Sequence, residues 1–308
     1  MNVHESAQIC SFLLSQGHTP AQSAETADIL VFNTCKIRNT AEQKILTHIA
    51  QARKLAKKQS RTQEIIVTGC LTDQNYKDVS KDISVSQSIT ISYGCENFCA
   101  YCIVPYVRGR EIHRPKQDIL AEFDAVTRTG TVWLLGQNVN SHPDFIELLD
   151  TLCARKGDFK INFMSSHPKD FTTELIDCIA RNAKIERNIH LPLQSGCDKI
   201  LKAMNRRYTV AEYTAKIEYL RKRVPDICIT TDIICGFPGE TEEDFLQTVE
   251  TMKKLRFNAA FIFPYSRRTG TAADKMPDQI DTATKKRRTT ELVNLMRNSS
   301  RLPFPSQS

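Results

Sequence analysis

The chain has 308 residues, of which 41% are hydrophobic and 25% charged, an ordinary globular composition sufficient for one large domain or two modest ones. It contains no run of 18 or more apolar residues, which excludes a hydrophobic membrane-spanning helix. The formal net charge of +7 fits a polyanionic partner such as RNA, although each basic run alone reads as a solvated helix face.

The opening stretch "MNVHESAQIC" has no basic start followed by an apolar run, so it does not read as a secretory signal. A cytoplasmic protein is expected, in which eleven cysteines stay reduced. The segment "SAQICSFLLSQG" has a helical pattern through Ile9, Phe12 and Leu13, and Cys10 is expected in its core-facing part. "DILVFN" (28–33) predicts a buried strand, followed by Thr34 and Cys35. A helix follows with apolar positions at Ile45, Ile49, Ala52 and Leu55, and "EIIVTGC" (64–70) predicts a second strand ending at Cys70. This alternation implies a parallel sheet.

After the polar link "TDQNYKDVSKD", six strands are predicted: "ITISYG", "TVWLLG", "KINFMSS", "NIHLPLQ", "ICITTDIICG" and "AAFIFPYS". Helices lie between them, one with Ile119, Leu120, Phe123 and Val126, another with Phe245, Val249, Met252 and Leu255. Six consecutive βα units with right-handed crossovers close most of a barrel. The last eight residues, "RLPFPSQS", read as a tail. The expected organisation is α/β: an incomplete N-terminal domain over 1–84, a six-stranded (β/α)6 partial TIM-type barrel over 85–299 and a disordered tail over 300–308. Glycine and polar residues follow each barrel strand, where parallel α/β folds bind ligands.

The most specific chemical signal is "YGCENFCAYCIVPYVRGRE". Cys95, Cys99 and Cys102 form a C-x3-C-x2-C triplet after the first barrel strand, with Tyr101 before the last cysteine. Structural zinc takes four ligands, and an ordinary ferredoxin cluster also takes four cysteines. Three thiolates on a 4Fe-4S cluster leave one iron open to bind something else. A zinc knuckle or a set of buried reduced thiols remains the bland alternative.

The cysteine segment, with "LLGQNVNS", "MSSHPKDF", "HLPLQSG", "MNRRYT", "TDIICGFPGETEEDF" and "YSRRTGT", resembles the radical S-adenosylmethionine (SAM) methylthiotransferases over nearly the whole chain. Its "LLGQNVNS" and "SSHP" are similar to the branch acting on N6-isopentenyladenosine beside the tRNA anticodon. A different methylthiotransferase substrate (threonylcarbamoyladenosine in tRNA, or a ribosomal protein) is the alternative, as is an inactive shortened product that only binds SAM or RNA. The resemblance implies a radical SAM barrel preceded by a flavodoxin-like domain. It implies a 4Fe-4S cluster on Cys95, Cys99 and Cys102 that chelates SAM, and a reductant such as flavodoxin or ferredoxin. The expected protein is a monomer.

By the same resemblance, Gly136, Gln137 and Asn138 lie near the SAM amino group, and Ser166 and Gln194 meet SAM or the adenine. Arg206 is a candidate for the SAM carboxylate through paired hydrogen bonds. Asp232 and Gly236 sit on the fifth strand, with Gly236 allowing close backbone approach. The alternative for the second-strand loop is a turn in which Asn138 takes a left-handed backbone, and for Arg206 a surface cation. "VRGRE" (107–111) and "RRTGT" (267–271) read as basic rim loops for phosphate.

A second 4Fe-4S cluster is implied on three N-terminal cysteines. Cys35 and Cys70 match two of them, and the strand bearing the third is expected to be missing. Only 24 residues separate Cys70 from Cys95, and no strand-rich RNA-binding module follows "LVNLMRNSS". Cys197 replaces the usual serine in "LQSGCD". Two cysteines in place of three imply SAM cleavage without sulfur insertion.

Overall fold

The computed structural model describes residues 6, 9, 10, 13, 14, 17–34, 47–52, 54, 55, 64–69, 88–125 and 129–299. Cys35, Cys70, Val126 and the tail at 300–308 lie outside the described residues. In the N-terminal part, β1 (Ile29–Thr34) pairs in parallel with β2 (Glu64–Gly69), Ile29 opposite Glu64. Residues 47–52 between them are helical and bury Ile49, as the apolar spacing predicts. Cys10 corrects the expectation of a core position: it is exposed. Ile9 and Leu13, four residues apart, share the half-buried face, whereas Cys10 and Leu14 share the outward one.

The barrel is built from two arcs. In the first, β3 (Ser88–Thr90), β6 (Thr129–Leu135) and β7 (Asp158–Phe163) are parallel, with β6 central. In the second, β8 (Asn188–His190), β9 (Cys228–Cys235) and β10 (Ala259–Pro264) are parallel, with β9 central. An isolated parallel bridge, Ile161 to Ile185, joins the arcs through Ile161 N–H to Lys184 C=O (2.8 Å) and Glu186 N–H to Ile161 C=O (2.9 Å). Six parallel strands therefore follow in chain order, as the pattern implied.

Two predicted strands are interrupted, each for a local reason. "ITISYG" switches partners at Ile91: beyond it β4 (Ser92–Tyr93) pairs antiparallel with β5 (Ile112–His113), which carries the chain back from the cysteine loop. "NIHLPLQ" leaves the regular ladder after His190 because Pro192 has no N–H. The Thr231 hydroxyl then takes the Leu193 N–H at 2.9 Å, and Gln194 rejoins β9 through Asp232 C=O at 2.8 Å.

Helices α1 (Val104–Arg108), α2 (Lys116–Ala125), α3 (Phe145–Cys153), α4 (Thr173–Arg181), α5 (Asp198–Ala203), α6 (Val210–Arg223), α7 (Glu242–Leu255) and α8 (Thr282–Ser299) complete the barrel. Local chemistry starts them: Thr209 with Glu212, and Thr241 with Asp244, form capping boxes on α6 and α7. Alternate strand residues such as Val132, Ile161, Ile189 and Ile233 pack outward against helix residues such as Phe123, Leu149, Ile217 and Phe245. Among the described residues no helix is long and apolar enough to cross a membrane.

Candidate functional site

The three cysteines stand on the loop between β4 and α1, at the carboxyl end of the barrel. Gly94 turns the chain into this loop at φ +66°, and a Cβ there would overlap the Arg110 carbonyl of the returning segment. The loop is stitched on both flanks. Ala100 N–H donates to Met204 C=O (2.9 Å), Ala273 N–H donates to Ala100 C=O (2.8 Å), and the Asn205 amide donates to the carbonyls of Asn97 (3.1 Å) and Phe98 (3.0 Å).

All three thiols are free, with Cys99 buried and Cys95 and Cys102 half-buried. Burial pushes the Cys102 thiol up to about 12, with Cys99 and Cys95 adding to the rise; burial also raises Cys95, with Glu111 and Cys99 contributing. Burial that disfavours the Cys95 and Cys102 thiolates is offset when a cation binds beside them. Donors to sulfur are in place: Asn97 Nδ2 lies 3.4 Å from Cys95 Sγ, and Arg206 Nη1 lies 3.3 Å from Cys99 Sγ. Among the described residues no three Cys, His, Asp or Glu side chains close around a single ion. A cluster whose irons each take one thiolate fits the loop.

Around this loop the strand ends present polar groups without protein partners. Asn138 Oδ1, Ser166 Oγ, His167 Nε2 and Gln194 Oε1 are buried and unpaired among the described residues. The Asn138 amide is oriented by its Nδ2 bond to Asp170 Oδ2 at 3.0 Å, so its oxygen is the free end. His167 Nδ1 accepts from Lys169 N–H at 3.2 Å, which places the imidazole proton on Nε2. Asn140 fixes this histidine's backbone from both sides, accepting its N–H (2.8 Å) and donating to its C=O (3.0 Å). Buried polar groups are normally paired, so four unpaired ones on one rim describe a place for a polar ligand. Five of the seven described non-glycine residues with positive φ also lie here: Phe98, Ser165, Gln194, Asn205 and Arg207.

Burial holds the His167 imidazole down at about 2, with the Arg206, Lys169, Arg207 and Lys216 cations adding to the effect. The folded value lies below the unfolded one of about 6.5. Between the two values the unfolded chain binds the extra proton, so stability falls as pH drops below about 6.5. From pH 7.5 to pH 5 wild type is expected to lose about 2 kcal/mol more than His167→Gln by urea unfolding. Parallel pH profiles for the two proteins would refute this.

Several residues singled out from sequence are placed differently from expectation. Asn138 has φ −150°, so it is not the left-handed turn residue of the alternative reading. Gly136 is buried, and Gln137 is half-buried beside it. Arg206 is only 4% exposed and so is not a surface cation. Its Nε donates to Tyr208 OH (3.0 Å), Nη1 to Cys99 Sγ and to Tyr101 OH (3.4 Å), and Nη2 to Pro192 C=O (3.1 Å). Little of the guanidinium remains for a bidentate grip on a carboxylate.

Asp232 faces the barrel lumen, 3.4 Å from His190 Nε2. Gly236 is explained by a turn, not by ligand approach: it has φ +70°, its N–H donates to Glu240 Oε2 (2.7 Å), and an added Cβ would overlap Lys285. Glu240 in turn pairs with the buried Arg288 at 2.7 Å, which ties α8 to this turn. "RRTGT" is not a free basic loop, since Arg267 pairs with Asp274 (3.0 Å) and Arg268 is 9% exposed. Cys197 is buried at the start of α5, its thiol 3.3 Å from Asp244 Oδ1. Sequence reasoning missed Asn97, Asn205 and Tyr208. Asn205 was the most readable of these, because asparagine readily takes the left-handed backbone seen there.

A family model described as the Radical SAM superfamily matches residues 89–252, and one described as an uncharacterized protein family, UPF0004, matches residues 1–90. Together with the three-cysteine loop on a six-stranded parallel barrel, this defines a radical SAM protein. The chain is 39% identical over 360 residues to the tRNA-2-methylthio-N(6)-dimethylallyladenosine synthase of Carboxydothermus hydrogenoformans, covering 97% of this chain and 82% of the relative. It is 35% identical over 358 residues to the enzyme of the same name from Fusobacterium nucleatum, covering 97% and 82%. The synthase of Thermoanaerobacter pseudethanolicus is 39% identical over 362 residues, covering 97% and 76%.

The chain belongs to the family of tRNA-2-methylthio-N(6)-dimethylallyladenosine synthases. Each alignment is longer than the 308-residue chain, so these relatives carry internal positions that it lacks. Among solved structures, the cobalamin-dependent S-adenosylmethionine radical enzyme OxsB with aqua-cobalamin bound superposes with a TM-score of 0.55 at 12% identity, covering 95% of this chain and 49% of that one. This likeness shows a shared fold alone.

Proposed function

We propose that this protein transfers a methylthio group to carbon 2 of N6-dimethylallyladenosine in tRNA, with SAM as cosubstrate. Family membership supports the reaction. The observation that carries the site is the ring of four buried, unpaired polar groups around the cysteine loop. In this reading Cys95, Cys99 and Cys102 hold a 4Fe-4S cluster, which when bound supplies the electron for reductive SAM cleavage.

Asn138 Oδ1 and Gln194 Oε1 offer acceptors to the SAM amino or hydroxyl groups, and Ser166 Oγ and His167 Nε2–H offer donors. Gly136 and Gln137 shape the same loop. Tyr101 and Arg206 support the cluster loop from beneath. Asp232 serves the lumen, and Gly236 holds the fifth loop in place. Cys35 and Cys70 are proposed ligands of a second 4Fe-4S cluster. In the same reading a flavodoxin-like segment spans 1–84, a radical SAM core 85–299 and a tail 300–308; the matches over 1–90 and 89–252 support a division between the first two near residue 89. A cytoplasmic monomer reduced by flavodoxin or ferredoxin completes the reading.

The test is nucleoside mass spectrometry of dimethylallyladenosine-containing tRNA after incubation with anaerobically reconstituted protein, SAM and dithionite. The methylthiolated nucleoside is the expected product. Its absence while 5′-deoxyadenosine accumulates would overturn the transfer reading.

A further inference from the structure

The barrel lumen is not lined like a packed barrel core. Closed (β/α)8 barrels fill their interior with layers of branched aliphatic side chains. Here β9 alternates strictly: Ile229, Thr231, Ile233 and Cys235 are buried on the outward side, and Thr230, Asp232 and Ile234 are half-buried on the lumen side. Register places Phe261 of β10 opposite Asp232, and Phe263 opposite Ile234. Both rings therefore face the lumen, 53% and 36% exposed. The Phe261 ring stands 6.0 Å from the His190 imidazole, edge to face. His190 Nδ1 bonds Thr230 Oγ1 at 2.9 Å, and its Nε2 faces Asp232 Oδ2. His190, Thr230 and Asp232 thus form a polar patch beside Phe261, and Ile234 continues the apolar side beside Phe263.

Resting on the function proposed above, we propose that Phe261 and Phe263 are the specificity wall for the apolar N6 substituent of the target adenosine, with the His190–Asp232 pair facing its base. A ligand that is polar in its ring and apolar in its tail matches this split surface. The five-carbon dimethylallyl group gains by covering exposed phenyl rings. A substituent ending in a carboxylate would leave that charge against two rings without a partner, so the same wall selects against it. The chemistry also gives the wall a positioning role. N6 and carbon 2 flank N1 on one edge of adenine, so seating the N6 tail sets where carbon 2 lies.

The test uses two anticodon stem-loop RNAs that differ only in an N6-dimethylallyl group on the target adenosine. Equilibrium binding is measured to the reconstituted wild type, to Phe261→Ala/Phe263→Ala and to Phe261→Leu/Phe263→Leu. Neither ring belongs to the main core cluster, so the variants should unfold at temperatures close to wild type. Wild type is expected to prefer the prenylated RNA by about tenfold or more. The alanine pair should lose that preference while binding the plain RNA unchanged, and the leucine pair should keep part of it. The alanine pair should also form more 5′-deoxyadenosine per methylthiolated nucleoside. Preference retained by the alanine pair, or absent from wild type, overturns the specificity wall while leaving the tRNA reading intact. If neither RNA binds wild type, the tRNA reading falls and the wall falls with it.

Discussion

Cys99→Ala is expected to reduce 5′-deoxyadenosine formation to background in anaerobically reconstituted protein given SAM and dithionite. Cys99 is the middle member of the triplet and the buried one, and its sulfur receives the Arg206 guanidinium at 3.3 Å. Its backbone carbonyl also accepts the Cys102 N–H at 2.9 Å, so the residue both shapes the loop and supplies a thiol. Alanine keeps the backbone bond and removes only the sulfur, which isolates the ligand role. Two thiolates cannot hold a four-iron cluster that already spends one iron on an exchangeable ligand. Iron and sulfide content should fall together with SAM cleavage. Cys228→Ser, on the barrel strand β9 away from the loop, serves as a control and should keep both. Equal 5′-deoxyadenosine from wild type and Cys99→Ala would show that the triplet does not carry the cluster.

The barrel was legible because its signals are repeated and local. Each strand is a short apolar run, and outward residues such as Val132, Ile161 and Ile233 are buried as the alternation requires. Interruptions were less legible because they depend on partners distant in sequence. Nothing within "ITISYG" says that Ile91 ends one pairing and starts another; the return of residues 109–113 decides it. The other break has a local cause, the missing N–H of Pro192, although "NIHLPLQ" reads as one strand by its apolar run.

At the site, residue type pointed to Asn138, Ser166 and Gln194, and the structure leaves a polar atom of each unpaired and buried. Residue type could not reveal that Arg206 spends its donors on Tyr208, Cys99, Tyr101 and Pro192. Nor could it show that Arg267 of the apparently basic rim loop is already neutralised by Asp274. Those are facts of tertiary pairing, and a cation looks the same in sequence whether paired or not.

Arg206→Lys should reveal which of two jobs this residue performs. The sequence suggested a clamp on the SAM carboxylate. The structure points to support of the cluster loop, because the guanidinium reaches Cys99 Sγ, two phenol oxygens and the Pro192 carbonyl at once, and is 4% exposed. Lysine preserves the charge but brings a single ammonium, which cannot span four acceptors arranged around a planar fork. Hydrogen bonds and positive charge at a thiolate favour the reduced, more negative cluster.

Loss of the fork should therefore move the cluster's reduction potential to a more negative value and lower SAM cleavage by roughly 10- to 100-fold, the usual cost of losing an outer-shell partner. The KM for SAM should change little. Arg206→Met, which also removes the charge, should shift the potential further in the same direction. A carboxylate clamp would behave in the opposite way: KM for SAM would rise tenfold or more, and the potential without SAM would stay at the wild-type value. Potentiometric titration of the cluster, combined with steady-state SAM kinetics on the same preparations, separates the two. An unshifted potential with a raised KM would return Arg206 to the carboxylate.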